Sequence, residues 1–195
     1  MTDDEKIDAF EIHIRDRQLA IAKHLADRFV ADATGDPLSQ SAFAILSIVT
    51  NYFEMIEQFC TGQSKGNSGI FFRNGLARVF SPSQVSPADA DRLYSFLRCG
   101  MYHSAMLTGR CGLSRNFDDP VANLNGVILI NPALLVDALL EHFADYCQQL
   151  RDPCGTVERA NMLSLLELLA ANAPTSTVTT IPAQTTTTAG APWQN

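Results

Sequence analysis

Apolar residues recur at steps of three and four along most of this chain, which is the spacing of one face of an α-helix. The pattern predicts a first helix over residues 5–32, ended by the turn residues Gly35, Asp36 and Pro37. Its expected inward-facing residues are Ile7, Phe10, Ile14, Ile21, Leu25 and Phe29. A long amphipathic helix therefore opens the chain.

A second helix is predicted over residues 39–60, and its first half is apolar nearly all round. We expect it to be the most buried element. Its expected inward-facing residues are Phe43, Leu46, Val49, Phe53, Ile56 and Phe59 or Cys60. We interpret its polar residues Asn51, Glu54 and Glu57 as a solvent-facing side. The alternative is that one of the carboxylates points at arginines later in the chain.

A third helix is predicted over residues 70–80, with Arg73 and Arg78 facing outward. Its expected inward-facing residues are Ile70, Phe71, Leu76, Val79 and Phe80. Ser86 and Pro87 are a cap and a first helical residue, so they predict the start of a fourth helix. This helix carries Leu93, Tyr94, Leu97 and Met101 toward the core.

Asn131 and Pro132 predict the start of a fifth helix in the same way. Its inward-facing residues are Leu135, Leu139, Phe143, Tyr146 or Cys147, and Leu150. A leucine-rich sixth helix follows over residues 156–172. Between the fourth and fifth helices, the short apolar runs at 111–117 and 127–130 are separated by turn residues, which predicts a small β-hairpin.

These elements predict an all-α fold, an antiparallel helical bundle with a small β-hairpin inserted after the fourth helix. Residues 1–172 form its single domain. Residues 173–195 are rich in Thr, Pro and Ala and contain no charged residue, so we expect a flexible tail.

The charge distribution separates the centre of the chain from its flanks. The net charge is −7, which argues against non-specific nucleic-acid binding. Residues 1–59 carry 5 basic and 11 acidic residues, and residues 117–195 carry 2 and 8, but residues 60–116 carry 7 basic residues against Asp89 and Asp91. Either these cations pair with the acidic flanking helices, or they form a local anion-binding surface.

Amino-acid composition bears on the cellular location and on disulfide and metal sites. No apolar stretch is long enough to span a membrane, and the acidic N-terminus does not resemble a secretory signal, so we expect a cytoplasmic protein. The 5 cysteines include no Cys-x-x-Cys pair and are expected to be free thiols. The histidines are scattered without metal-ligand spacing, so we expect no metal and no cofactor.

The fourth helix places Arg98 five residues before His103. Histidine transfers protons near neutral pH, and arginine stabilises the extra negative charge of a phosphate in a transition state. The pair therefore suits phosphodiester chemistry, in which the 2′-hydroxyl of RNA supplies the nucleophile. On one straight helix, however, residues five apart point roughly 140° away from each other. A bend at Gly100 or a second subunit would be needed to bring them together.

The segment from Leu93 to His103 has Arg-x4-His spacing late in a helical chain, and it resembles the signature of the HEPN-domain superfamily. The residues around Arg98 and His103 are similar to those of a bacterial HEPN-like branch. The resemblance implies a helical bundle that forms a homodimer with the two motifs facing each other. It also implies a metal-independent endoribonuclease, often in toxin–antitoxin or antiviral systems and with an antitoxin-like protein partner. Arg98 and His103 would then be catalytic, and Arg73, Arg110 and Arg115 would bind the RNA.

Two alternatives remain open. Catalytic members of the family often have a polar residue directly after the arginine, whereas this chain has Cys99. Such a departure suits a non-catalytic module that binds nucleic acid, a nucleotide or a protein partner through the same surface. In the other alternative, Arg98 makes a buried salt bridge to Glu54 or Glu57, and His103 only packs.

Overall fold

The computed structural model describes residues 1–31, 41–152 and 154–172, with the backbone alone for residues 29–31. These residues form a mainly helical fold with one small sheet. The helices are α1 (3–31), α2 (Ala42–Thr61), α3 (Ser68–Val79), α4 (87–104), α5 (Pro132–Leu150) and α6 (Val157–Asn172). The strands are β1 (Cys111–Leu113), β2 (Val121–Leu124) and β3 (Val127–Ile130). The predicted tail lies outside the described residues.

Helix α1 contains a π-helical segment. It is capped by Thr2 and Glu5 in a capping box, and its Ile12–Leu19 segment is π-helical between two α-helical segments, Asp3–Glu11 and Ala20–Ala31. Its buried residues are Ile7, Phe10, Ile14, Leu19, Ala22 and Ala26. The step of five from Ile14 to Leu19 falls in the π segment, where hydrogen bonds run from i to i+5.

The changed spacing of buried residues in α1 makes the prediction for Ile21 wrong. Ile21 is half exposed, because the π segment moves the inward face of α1 on to Leu19 and Ala22. The side chain of Phe29, also expected inward, lies outside the described residues.

Helix α2 is the centre of the fold, because every other described helix packs against it. The expectation that it is the most buried element agrees with its long run of buried residues. Its inward stripe starts from Ala42, Ile45 and Leu46, so Phe43, one residue off that stripe, is 41% exposed and was wrongly expected inside. The other predicted inward residues of α2 are buried.

Helix α3 crosses α2 at a very short distance. A Cβ built on Gly75 would lie 1.7 Å from the carbonyl oxygen of Phe53 on α2. Phe72 packs edge to face on Phe53, and Leu76 is buried in the same core cluster. Ile70, expected inward, is 49% exposed instead, because the first turn of α3 presents Gly69 and Phe71 to the core.

The sheet differs from the predicted hairpin. Its strand order is β1-β3-β2: β2 and β3 form an antiparallel hairpin, whereas β1 pairs with β3 in parallel. The hairpin turn is Asn125-Gly126, and both residues have positive φ (54° and 79°), as a two-residue type I′ turn requires. The run at 111–117 is therefore not the hairpin partner of 127–130. The partner is Val121–Leu124, which the periodicity did not reveal.

Asn131 joins the sheet to α5. Its side chain accepts hydrogen bonds from the backbone N–H groups of Ala133 and Leu134 and donates one to the carbonyl of Phe117. The predicted cap of α5 is confirmed, and the expected inward residues of that helix are all buried. Among the described residues, no helix has both the length and the apolar character needed to cross a membrane.

Gly75→Ala is expected to destabilise the protein by at least about 2 kcal/mol. Alanine improves intrinsic helix propensity by about 1 kcal/mol, but overpacking reaches about 3 kcal/mol or more where, as here, the new atom meets backbone and no rotamer can relieve the clash. The free energy of unfolding in urea measures the effect. The control is Gly69→Ala on the same helix, whose new Cβ would meet only side-chain atoms, at 3.1 Å or more. Equal effects of the two substitutions would contradict the close crossing.

A pH-dependent contact joins α2 to α5. Tyr52 Oη lies 2.7 Å from Nδ1 of His142. Burial raises the pKa of Tyr52, so its hydroxyl keeps its proton, and burial together with the charge of Arg78 lowers the pKa of His142. The folded protein therefore binds a proton at His142 less readily than the unfolded chain does, so the unfolded chain is protonated first as the pH falls. This contribution to stability is present above the ordinary histidine pKa of about 6.5 and is lost as the pH falls below it.

His142→Gln should remove that dependence. Between pH 7 and pH 5 the unfolding free energy of the wild type should fall more steeply than that of the variant, by up to about 1.4 kcal/mol per pH unit. Urea denaturation across this range checks it, with His24→Gln, at an exposed position on α1, as the control. Parallel curves for wild type and His142→Gln would show that His142 does not titrate differently on folding.

Candidate functional site

The candidate site lies on the second half of α4. This helix starts as predicted, with Ser86 accepting a hydrogen bond from the backbone N–H of Asp89 and with Pro87 at its first turn. Its α-helical segment Pro87–Leu93 is followed by a π-helical segment, Tyr94–Cys99, and then by Gly100–Ser104. Arg98 is in the π segment and His103 is in the last turn. Ala105, with φ 54°, ends the helix in the left-handed conformation.

Gly100 does not bend the helix, because its φ of −59° and ψ of −51° are helical. Its role is to let the chain fold back over α4. A Cβ on Gly100 would lie 2.5 Å from the carbonyl oxygen of Met106, and the N–H of Thr108 donates to the carbonyl of Phe96. Gly109, with φ +63°, then passes over the ring of Phe96. Of the two options considered, a bend at Gly100 is therefore absent, and the irregularity before His103 is the π segment.

Tyr102 is the side chain that Arg98 and His103 share. The Arg98 guanidinium lies over its ring, 4.2 Å from the centroid, and the His103 ring meets it edge to face at 6.0 Å. The structure thus brings Arg98 and His103 to one aromatic ring at the end of α4 within a single chain. Tyr102 was not identified from the sequence, although its spacing of four residues from Arg98 is that of a contacting pair on a helix.

Arg98 is also held by Glu54 of α2. Its Nε donates to Oε1 of Glu54 at 2.5 Å, and each side chain is only 16% exposed. Burial alone would lower the pKa of Arg98, but the hydrogen bond and charge of Glu54 outweigh it and raise that pKa. The two Nη groups make no hydrogen bond with other described residues, so their N–H groups remain available to an anion.

His103 is exposed, and no hydrogen bond or ion pair within the described residues restrains its imidazole. The alternative with a salt bridge at Arg98 is thus right about Glu54, but it is wrong about His103, which does not pack into the core. The exposed imidazole is free to exchange protons with solvent or with a ligand.

Carboxylates compensate most of the central positive charge. Arg78 forms a salt bridge with the buried Glu57, whose other carboxylate oxygen accepts a hydrogen bond from Asn74. The prediction that the carboxylates of α2 face solvent is therefore wrong, and the alternative that they point at arginines later in the chain is correct. In the described residues the further pairs are Arg73 with Asp91 and Arg92 with Asp89. Together with Arg98, these arginines are therefore paired with carboxylates, as the first interpretation of the central positive charge predicted. Two of the partners, Asp89 and Asp91, lie within residues 60–116 themselves and not in the acidic flanking helices.

The three arginines expected to bind nucleic acid lie outside the helix that carries Arg98. Arg73 is engaged by Asp91 at 3.1 Å and by the ring of Tyr94, one turn before Arg98. Arg110 and Arg115 are exposed on either side of β1. No ion pair within the described residues involves Arg110, so its charge is uncompensated locally.

Three of the five cysteines lie in surroundings that disfavour the thiolate. The cysteines are free, and burial raises the pKa of Cys60 and Cys111 to about 11 and that of Cys147 to about 12, so these thiols stay protonated at neutral pH. Within residues 1–31, 41–152 and 154–172, no three His, Cys, Asp or Glu side chains come together as metal ligands.

Glu54→Ala and Arg98→Ala should each destabilise the protein by about 1–3 kcal/mol, because each leaves a mostly buried charge without its partner. The double variant should cost less than the sum, with a coupling energy of about 1–2 kcal/mol in a double-mutant cycle from urea denaturation. The more exposed pair Arg73 and Asp91 provides the control, with an expected coupling below about 1 kcal/mol. A coupling at Arg98 no larger than in this control would contradict a structural role for the pair.

Comparison with known proteins adds no relative: no family model, no curated protein and no solved structure matches this chain.

Proposed function

We propose that this protein is a metal-independent endoribonuclease of HEPN type that cleaves RNA as a homodimer. The observation that carries the proposal is the arrangement at the end of α4, where an exposed His103 stands beside the Tyr102 ring on which the Arg98 guanidinium rests. The Arg-x4-His resemblance of the same segment supports the assignment.

In this mechanism the 2′-hydroxyl of RNA attacks the adjacent phosphorus, and the 5′-oxygen of the next nucleotide leaves. One proton must be removed from the 2′-hydroxyl and one must be delivered to the 5′-oxygen. His103 performs such a transfer because its imidazole is exposed and can both accept and donate a proton. The free Nη groups of Arg98 donate to the phosphate oxygens as their negative charge increases. The products carry 2′,3′-cyclic phosphate and 5′-hydroxyl ends.

The need for two proton transfers favours a dimer. Each chain contributes one imidazole to the site, whereas the reaction uses a base and an acid on opposite sides of the phosphorus. Two copies that face each other through the ends of α4 supply two imidazoles and two guanidinium groups. The biological setting that the resemblance suggests is a cytoplasmic toxin–antitoxin or antiviral system, in which an antitoxin-like partner would cover this surface.

A second candidate is a non-catalytic module that binds nucleic acid, a nucleotide or a protein partner through the same surface. One observation favours it: Glu54 neutralises Arg98, so part of the charge that would stabilise a transition state is already compensated. Cys99, directly after Arg98, also departs from the usual pattern of catalytic members.

The decisive experiment incubates purified protein with a panel of 5′-labelled single-stranded RNAs in EDTA. We expect cleavage to 2′,3′-cyclic phosphate ends, and a loss of about 100-fold or more in rate for His103→Ala. His103 is the better target than Arg98, because its side chain is exposed and lies outside the core, so its loss should leave the unfolding free energy nearly unchanged.

His24→Ala, an exposed histidine on α1, is the matched control and should cleave like the wild type. If wild type and His103→Ala are equally inactive over the whole panel, catalysis is ruled out. RNA binding that Arg98→Ala then abolishes, without turnover, would favour the non-catalytic module.

A further inference from the structure

Tyr102 has an unusual environment for an exposed aromatic residue. At 70% exposure it is the most exposed aromatic side chain among the described residues, whereas Tyr52 and Tyr146 are only 3% exposed. Single exposed aromatic residues are common and by themselves indicate little. Tyr102 differs because its orientation is fixed.

The orientation of the ring comes from Arg98. One face of Tyr102 is covered by the guanidinium at 4.2 Å, and that guanidinium is anchored in turn by the hydrogen bond from its Nε to Glu54. Since the side chain is nevertheless mostly exposed, its opposite face is open to solvent. The result is a preoriented aromatic surface next to two groups that suit a phosphate, the free Nη atoms of Arg98 and the imidazole of His103.

We infer that Tyr102 stacks against one base of a single-stranded nucleic acid and places the phosphate of that nucleotide at Arg98 and His103. The inference rests on the proposed function and adds a positioning residue to it. Stacking on an aromatic face is a general means of holding unpaired bases, and it tolerates any base because each has a π-face. A cation behind the ring keeps the ring in place without using the open face.

This arrangement determines the class of ligand. A base within a duplex already has stacking partners on both sides, so it reaches an external ring only after it is unstacked. The site should therefore prefer single strands, loops or ends over duplexes. Stacking does not involve the 2′-hydroxyl, so single-stranded DNA of the same sequence should bind at the same place without being cleaved.

The test uses full-length protein with His103→Ala, which prevents cleavage, and measures affinity for a short 5′-labelled single-stranded RNA by fluorescence anisotropy. Adding Tyr102→Ala should raise Kd about tenfold, adding Tyr102→Leu should raise it similarly, and adding Tyr102→Phe should leave it nearly unchanged. A duplex of the same sequence should bind clearly more weakly.

A second measurement identifies the stacked base by changing the RNA. In a series of RNAs that each contain one abasic nucleotide, one position should raise Kd about tenfold with His103→Ala protein. The same position should have no effect once Tyr102→Ala is also present, because base and ring are partners in a single contact.

The outcomes separate this inference from the proposed function. If RNA binds but Tyr102→Ala and Tyr102→Phe behave alike, or if no abasic position depends on Tyr102, the stacking role is overturned while the proposed function stands. Equal affinity for duplex and single strand also overturns it. If no RNA binds to His103→Ala protein and none is cleaved by the wild type, the proposed function itself fails.

Discussion

The architecture depends on two carboxylates placed on its most buried helix. Glu57 is 5% exposed and Glu54 lies one turn earlier, so neither can be left without a cation. Arg78 of α3 pairs with Glu57, and Arg98 of α4 pairs with Glu54. Each pair fixes one neighbouring helix on α2, in addition to the contact at Gly75. The position of the candidate site is therefore a consequence of how α4 must pack.

Sequence patterns predicted the described helices well because their signals are local. The caps at Ser86 and Asn131, with a proline after each, mark helix starts by hydrogen bonding within three residues. The buried face of α5 follows the ideal helical period throughout. The patterns failed where geometry departs from that period. Ile21 is exposed because a π segment precedes it, and such a segment leaves no compositional signal. Local patterns also miss the parallel pairing of β1 with β3, because these two strands are separated along the chain by β2.

The candidate site was predicted only in part for the same reason. Arg98 and His103 were identified by residue type and spacing, but the straight-helix calculation separated them by roughly 140°. The ring of Tyr102, which contacts both residues, was not foreseen. Glu54 was considered as a partner but not preferred, because an acidic residue near the middle of a helix is more often a solvated one.

The Arg98–Glu54 pair also limits where binding energy can come from. An arginine whose charge is largely offset attracts a distant phosphate weakly, yet it still donates hydrogen bonds from its Nη groups at short range. Exposed cations such as Arg110 must then supply the long-range attraction of a phosphate. Contacts that do not depend on net charge must supply the short-range affinity. An oriented aromatic ring is such a contact. Under the proposed function, stacking on Tyr102 would therefore contribute more to RNA affinity than the formal charge of the central segment suggests.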